Sequence, residues 1–123
     1  MSNSIKVDVD TLYIESESDP DNDRYVFAYT ITIRNVGDIA AKLMTRHWVI
    51  RDENGKVQKV DGDGVVGEQP HLKPGEGFKY TSSTWLETSW GTMGGAYLMV
   101  TDNGEEFKAP VADFLLSVPH TLH

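Results

Sequence analysis

Between Arg24 and Arg34 the chain alternates: Tyr25, Phe27, Tyr29, Ile31 and Ile33 fall on one side, and Arg24, Ala28, Thr30, Thr32 and Arg34 on the other. A period of two places every second side chain on the same face of an extended strand, whereas a helix would scatter those five apolar residues around its circumference. Ile5, Val7 and Val9 repeat the signal against Lys6, Asp8 and Asp10. Further strands are expected over about 41–51, 78–88, 95–101 and 105–116, with breaks at Asp19-Pro20-Asp21-Asn22-Asp23 and around Gly37. Two Asn-Gly pairs, Asn54-Gly55 and Asn103-Gly104, are strong hairpin signals. Nothing between Tyr25 and Leu116 sustains a helical period. Short strands punctuated by turns specify an all-β protein, a sandwich or a barrel.

The hairpin at Asn54-Gly55 has a register that can be argued. A two-residue loop would set Trp48 opposite Asp61 and Ile50 opposite Lys59. A three-residue loop, Glu53-Asn54-Gly55 with Gly55 in the left-handed bulge position, sets Trp48 opposite Val60 and His47 opposite Asp61. The second pairs apolar with apolar and polar with polar, and is preferred. Gly95-Ala96-Tyr97-Leu98-Met99 looks like a tyrosine corner, with Met99 in place of the inter-sheet cysteine and Trp48 as the core tryptophan near it. That favours an antiparallel β-sandwich over a barrel. Tyr25, Phe27, Tyr29, Ile31, Ile33, Trp48, Tyr97 and Met99 are its expected core.

The 123 residues suit one domain over 1–123, with 119–123 as a possible disordered tail. A domain of this size buries roughly two-thirds of its unfolded surface. There is no cysteine, so neither a disulfide nor a thiolate metal site contributes. The first ten residues, MSNSIKVDVD, hold no apolar signal core, and no run approaches the roughly 20 apolar residues of a membrane helix, so a cytoplasmic location is expected. A net charge of −8 opposes broad binding to nucleic acid or anionic lipid.

Gly62-Asp63-Gly64-Val65-Val66-Gly67 has the spacing of a dinucleotide-binding fingerprint. That motif requires a helix after the last glycine, whose amides hold the pyrophosphate. Here Glu68-Gln69-Pro70-His71-Leu72-Lys73-Pro74-Gly75-Glu76-Gly77 follows, and its prolines and glycines rule a helix out. Glu87 stands about 20 residues on, where a ribose-binding acid would sit, but without the helix it carries little weight. The glycines either serve positive φ or a bulge, or expose amides to an anion.

Other chemistry-bearing patterns are incomplete. Asp19, Asp21 and Asp23 open like a calcium loop, yet Arg24 and Thr30 occupy the glycine and bidentate-glutamate positions, so a solvated acidic loop is expected. Asp61 and Asp63 could hold a hard cation weakly. His47, His71, His120 and His123 show no zinc spacing. Ser82 and Ser83 have no identifiable base, no Gly-x-Ser-x-Gly elbow exists, and His47 fits a strand histidine bonded to a neighbouring carboxylate. No catalytic set, cofactor or metal site is therefore assigned. Trp90, in the glycine-rich stretch 88–95, either caps the core or anchors a partner.

The chain resembles the ApaG family from Tyr25 to about Pro119. Its motifs stand as Leu43…Arg46-His47-Trp48, the 62–70 glycine segment through Pro70, Leu72-Lys73-Pro74-Gly75, Phe78-Lys79-Tyr80-Thr81-Ser82, Gly91-Thr92-Met93, Gly95-Ala96-Tyr97-Leu98-Met99 and Phe107…Phe114. Ser89 stands where a proline is common, and Ala112-Asp113 replaces an expected Pro-Ala. The resemblance implies a fibronectin type III-like sandwich, found in free-standing bacterial proteins and at the C-terminus of eukaryotic proteins, F-box proteins among them, with a role in protein binding. It also implies an association with divalent-cation tolerance, and no catalytic residue to carry over.

Two functions follow as expectations. The first is a non-enzymatic module that binds an unidentified protein partner through segments 61–70 and 88–95, with Trp90 as anchor. The alternative is a small-ligand site: phosphate or pyrophosphate at Gly62, Gly64 and Gly67 aided by Arg46 and Lys73, or a divalent cation at Asp61 and Asp63. Neither nucleic acid nor membrane is an expected partner.

Overall fold

The structure, a computed structural model, describes residues 4–119. Its strands are β1 (Ile5–Tyr13), β2 (Tyr25–Asn35), β3 (Ala41–Asp52), β4 (Val57–Asp63), β5 (His71–Leu72), β6 (Gly77–Leu86), β7 (Trp90–Thr101) and β8 (Glu106–Ser117). Two single 3-10 turns, Glu15–Glu17 and Pro20–Asn22, lie between β1 and β2, and no α-helix forms among the described residues. The chain thus makes an antiparallel sandwich: a sheet in the order β1-β2-β6 faces one in the order β4-β3-β7-β8, with β5 pairing the start of β3.

The alternation in β2 does what its period requires. Phe27, Ile31 and Ile33 are fully buried, Tyr29 nearly so, and Tyr25 borders the core. The β3–β4 hairpin adopts the three-residue loop: Trp48 lies opposite Val60 and His47 opposite Asp61, with Gly55 at φ 83°. Asn35, the buried polar residue of β2, is fully used. Its Nδ2 donates to the carbonyls of Ile39 (2.9 Å) and Leu72 (3.0 Å), and its Oδ1 accepts from the Gly37 amide. Satisfying both ends of the amide lets it pin the β2–β3 turn to β5 without a desolvation penalty.

Two expectations are corrected. β7 begins at Trp90, five residues before the expected start, because the glycines of 91–95 belong to a strand and not to a loop. They permit a close backbone approach: a Cβ on Gly95 would stand 1.8 Å from the His47 carbonyl oxygen, and one on Gly91 would stand 2.3 Å from that of Arg51. The register also shifts between Met93 and Gly95, where β8 carries the extra residue of a bulge. Tyr97 is not a tyrosine corner. It lies mid-strand and its hydroxyl meets that of Tyr80 at 2.6 Å, a buried bond that joins the two sheets.

The core centres on Trp48, 2% exposed, whose ring meets Tyr97 (5.7 Å), Tyr29 (6.0 Å) and Phe114 (6.2 Å) edge-on or tilted. β1 packs against β8 and closes one side of the sandwich. On the other side β4 and β6 are the terminal strands of their sheets, and the interior opens between them.

The backbone contacts of Gly95 predict a steep contrast between glycines. Gly95→Ala should cost more than about 3 kcal/mol in a urea titration, since backbone must move to admit the methyl group. Gly55→Ala meets open space and should cost only about 1 kcal/mol, from its positive φ alone.

The tyrosine pair predicts alkaline sensitivity. Burial pushes the Tyr80 hydroxyl from 10.0 to about 12, and burial together with Tyr80 raises Tyr97 further. Both groups hold their proton in the folded state above the pH at which an unfolded tyrosine ionises. Their stability contribution is intact below about pH 10 and falls as pH rises toward the folded values, by about 1.4 kcal/mol per pH unit for each tyrosine. Tyr80→Phe should roughly halve that slope in denaturant titrations between about pH 10 and 12.

Candidate functional site

The glycine motif begins as the end of a strand. Gly62 in β4 pairs with Arg46 in β3, and its missing side chain leaves room for the Arg46 guanidinium: a Cβ there would stand 2.7–2.9 Å from the guanidinium atoms. Gly64, at φ 60°, donates its amide to the Met44 carbonyl, and a Cβ on it would stand 2.1 Å from the Glu68 carbonyl oxygen. Val65 and Glu68 exchange backbone bonds of 2.8 and 2.9 Å around Val66 and Gly67, both at positive φ. That is the conformation of a type I′ hairpin turn. No helix follows; the chain runs on to β5.

Arg46 is the functional group this loop is built around. The register slip between Leu43 and Thr45 sets Arg46 on the same inward face as Trp48 and Ile50. Its Nη1 donates to the carbonyls of Asp63 (3.0 Å) and Gly64 (2.9 Å). The loop therefore presents carbonyls to a cation, while the amides of Gly64, Val65 and Glu68 are engaged within the backbone. That arrangement is the reverse of an anion-binding nest of amides.

Beside Arg46 a cleft of about 280 Å³ opens between the sheets. Tyr29, Trp48 and Tyr80 line its interior, Ser82 and Thr84 of β6 one wall, and Val66 and Gly67 its rim. Further along the same open side, Lys56 in the β3–β4 turn pairs with Glu87 just beyond β6, and Glu87 accordingly raises the Lys56 pKa.

The remaining candidate residues scatter. Asp61 and Asp63 point outward from β4; the Asp61 carboxylate meets His47 Nδ1, and no group of three or more His, Asp or Glu converges on a metal-sized position among the described residues. Asp19 and Asn22 bond each other in a tight acidic turn. Lys73 lies beyond Leu72, which pairs with Ala41, so its backbone is roughly 15 Å along β3 from Arg46 and the two cations do not converge. Trp90 lies outward at the start of β7, 43% exposed, beside the far end of β3. The glycine loop and Trp90 thus stand about 23 Å apart along β3, at opposite ends of the sheet and not on one surface. His120 and His123 lie outside the described residues.

The sequence pattern did not single out Tyr80, Thr84 or Val60 as cleft residues, nor the contact of His71 Nε2 with Asp102 Oδ1 at 2.8 Å that fastens β5 to the β7–β8 turn. An available signal was the polar pair Ser82 and Thr84, in phase with the buried Tyr80 and Leu86 along β6. No helix among the described residues is long and apolar enough to cross a membrane.

Fold and site together define a small antiparallel β-sandwich with an arginine-bearing cleft on its open side. The chain belongs to the ApaG family, since the model of the ApaG domain matches residues 15–101. It is 56% identical over 120 residues to Protein ApaG of Stenotrophomonas maltophilia, covering 98% of this chain and 94% of that one. Against Protein ApaG of Shewanella halifaxensis it is 54% identical over 123 residues, covering 100% and 98% of the two chains. The crystal structure of the ApaA protein from Bordetella pertussis superposes with a TM-score of 0.92 at 49% identity, covering 95% of each chain.

Val66 is a β-branched residue at φ 44°, held there by the turn. Replacing it with a residue that tolerates this region should relieve strain: Val66→Asn is expected to stabilise the protein by up to about 1 kcal/mol. Gly64→Ala should act oppositely, destroying the turn and speeding hydrogen exchange at the Val65 and Glu68 amides by at least about tenfold. Urea titration and exchange measured by NMR check both signs.

Proposed function

We propose that this protein is a non-enzymatic, cytoplasmic recognition domain that binds another protein through the outer face of its larger sheet around Trp90. The observation that carries this is the exposure of Trp90 (43%), Leu115 (57%) and Val57 (49%) at one end of that face. Gly91 and Met93 are buried, so alternation turns Trp90 and Thr92 outward. Thr92 pairs with both Arg51 and Leu115, and Arg51 pairs with Val57, which makes Val57-Arg51-Thr92-Leu115 one transverse row. Trp90, opposite Ser117, stands diagonally next to Leu115.

An indole flanked by exposed aliphatic side chains is an arrangement that partner binding puts to use, because a tryptophan buried on association supplies a large contact area. Arg51 adds a charged group suited to the polar part of an interface. Trp85 is also exposed (46%), but Arg24 stacks over it at 4.9 Å. It is therefore the weaker anchor.

A partner captured from cell extract on the wild-type protein, then purified and titrated by calorimetry, tests the reading. Trp90→Ala should weaken that binding by about 2 kcal/mol or more and leave Tm nearly unchanged. Unchanged affinity, or a loss that merely follows a lowered Tm, would reject Trp90 as the anchor.

A further inference from the structure

We propose that the inter-sheet cleft between β4 and β6 is a binding site for a small polyhydroxylated organic anion, a sugar acid or a sugar phosphate, whose charged group meets Arg46. The first observation is polarity where a sandwich interior is normally apolar. Along β6 the inward positions run Tyr80, Ser82, Thr84, Leu86; the ends are buried, while Ser82 and Thr84 line the cleft. Their hydroxyls hydrogen-bond to no protein group among the described residues. The second is the charge on Arg46. The chain carries a net charge of −8, yet no carboxylate lies within ion-pair distance of this half-buried guanidinium among the described residues. Its partners are two carbonyl oxygens on Nη1. Partly desolvated cations are ordinarily matched by a counter-charge, and a ligand anion would supply it.

Two more observations converge on the same cleft. Trp48, which lines it, holds the one buried side-chain donor without an acceptor among the described residues, its Nε1–H. Val66 stands at the rim, 52% exposed and at positive φ. Neither burial nor backbone preference calls for a valine there, and strained positions of this kind are maintained where a contact requires them. The ligand class follows from the lining: a guanidinium for a carboxylate or phosphate, hydroxyls for hydroxyls, and the Tyr29 and Tyr80 walls for the carbon skeleton. A cleft of about 280 Å³ lies near the lower bound of small-molecule sites, roughly 300 Å³. The turn at Val66-Gly67 limits it at one end, and the Lys56–Glu87 pair crosses the same open side further on.

The test is a two-dimensional NMR titration of the whole protein with glucuronate and glucose 6-phosphate. Glucose serves as the uncharged control and inorganic phosphate as the charge-only control. Saturable shifts are expected at the Trp48 indole and the Ser82, Thr84 and Val66 amides with one or both organic anions, identifying carboxylate or phosphate as the preferred head group. Glucose and phosphate should each bind at least about tenfold more weakly. Arg46→Gln should weaken the preferred anion by at least about tenfold, and Ser82→Ala with Thr84→Val by about threefold or more with Tm unchanged. The double variant decides the matter if Arg46→Gln disturbs the loop. Absence of saturable shifts up to about 10 mM for both anions, equal binding of phosphate alone, or full affinity in the double variant would each overturn the proposal.

Discussion

Everything in this sandwich depends on how two sheets are joined without a covalent bond. With no cysteine, the joint is Tyr29 of the smaller sheet against the Trp48 and Phe114 rings of the larger one, together with the hydroxyl bond from Tyr80 to Tyr97. Aromatic rings packed edge to face combine a large buried area with an angular preference, so they fix the angle between the sheets as well as their separation. The hydroxyl bond adds specificity: both partners are buried, and losing either leaves the other without a partner in a medium where that is costly. Burial raises the pKa of both hydroxyls because it disfavours the charged phenolate, so the pair stays neutral well above the pH at which an exposed tyrosine ionises.

Placing this joint toward the β4–β6 side has a consequence for function. β1 and β8 close the opposite side, whereas β4 and β6 do not pair, and Tyr29, Trp48 and Tyr80 of the joint also form the inner lining of the cleft between them. The site is thus seated on buried core side chains, which limits the ordering cost of a bound molecule. Arg46 takes its position from the same architecture: a bulge turns it inward, Gly62 makes room for it and two carbonyls hold it.

Features with a local cause were legible in the sequence. The period of two over Tyr25–Ile33 gave the central strand and its buried face, and pairing apolar Trp48 with Val60 selected the hairpin register. The absence of a helix after Gly67 followed from Pro70 and Pro74 together with Gly75 and Gly77. What escaped had causes elsewhere in the chain. Gly91 read as part of a loop because glycine marks turns, yet here it answers to the backbone of β3 at Arg51, 40 residues earlier in the sequence. Tyr97 resembled a corner because that motif is local, whereas its real partner, Tyr80, sits on the other sheet. The Ser82 and Thr84 alternation was visible, but its inward sense depends on which face of β6 the Tyr80 ring takes.

The glycine motif shows why spacing alone misleads. In a nucleotide site the glycines bring amides toward a phosphate; here Gly64 and Gly67 shape a turn whose Gly64, Val65 and Glu68 amides bond to backbone carbonyls, and the Asp63 and Gly64 carbonyls face a guanidinium. The loop is consequently a holder for a cation, and the cation is the protein's own arginine. A strongly acidic protein has a particular use for that arrangement. Its net field repels anions at long range, so an anion retained at Arg46 must gain its interaction at close quarters, where the low-dielectric wall of Tyr29, Trp48 and Tyr80 strengthens a short charge contact. Selectivity then needs the ligand's shape and hydroxyls as well as its charge, because charge alone is opposed on approach and favoured only once the rest of the molecule fits.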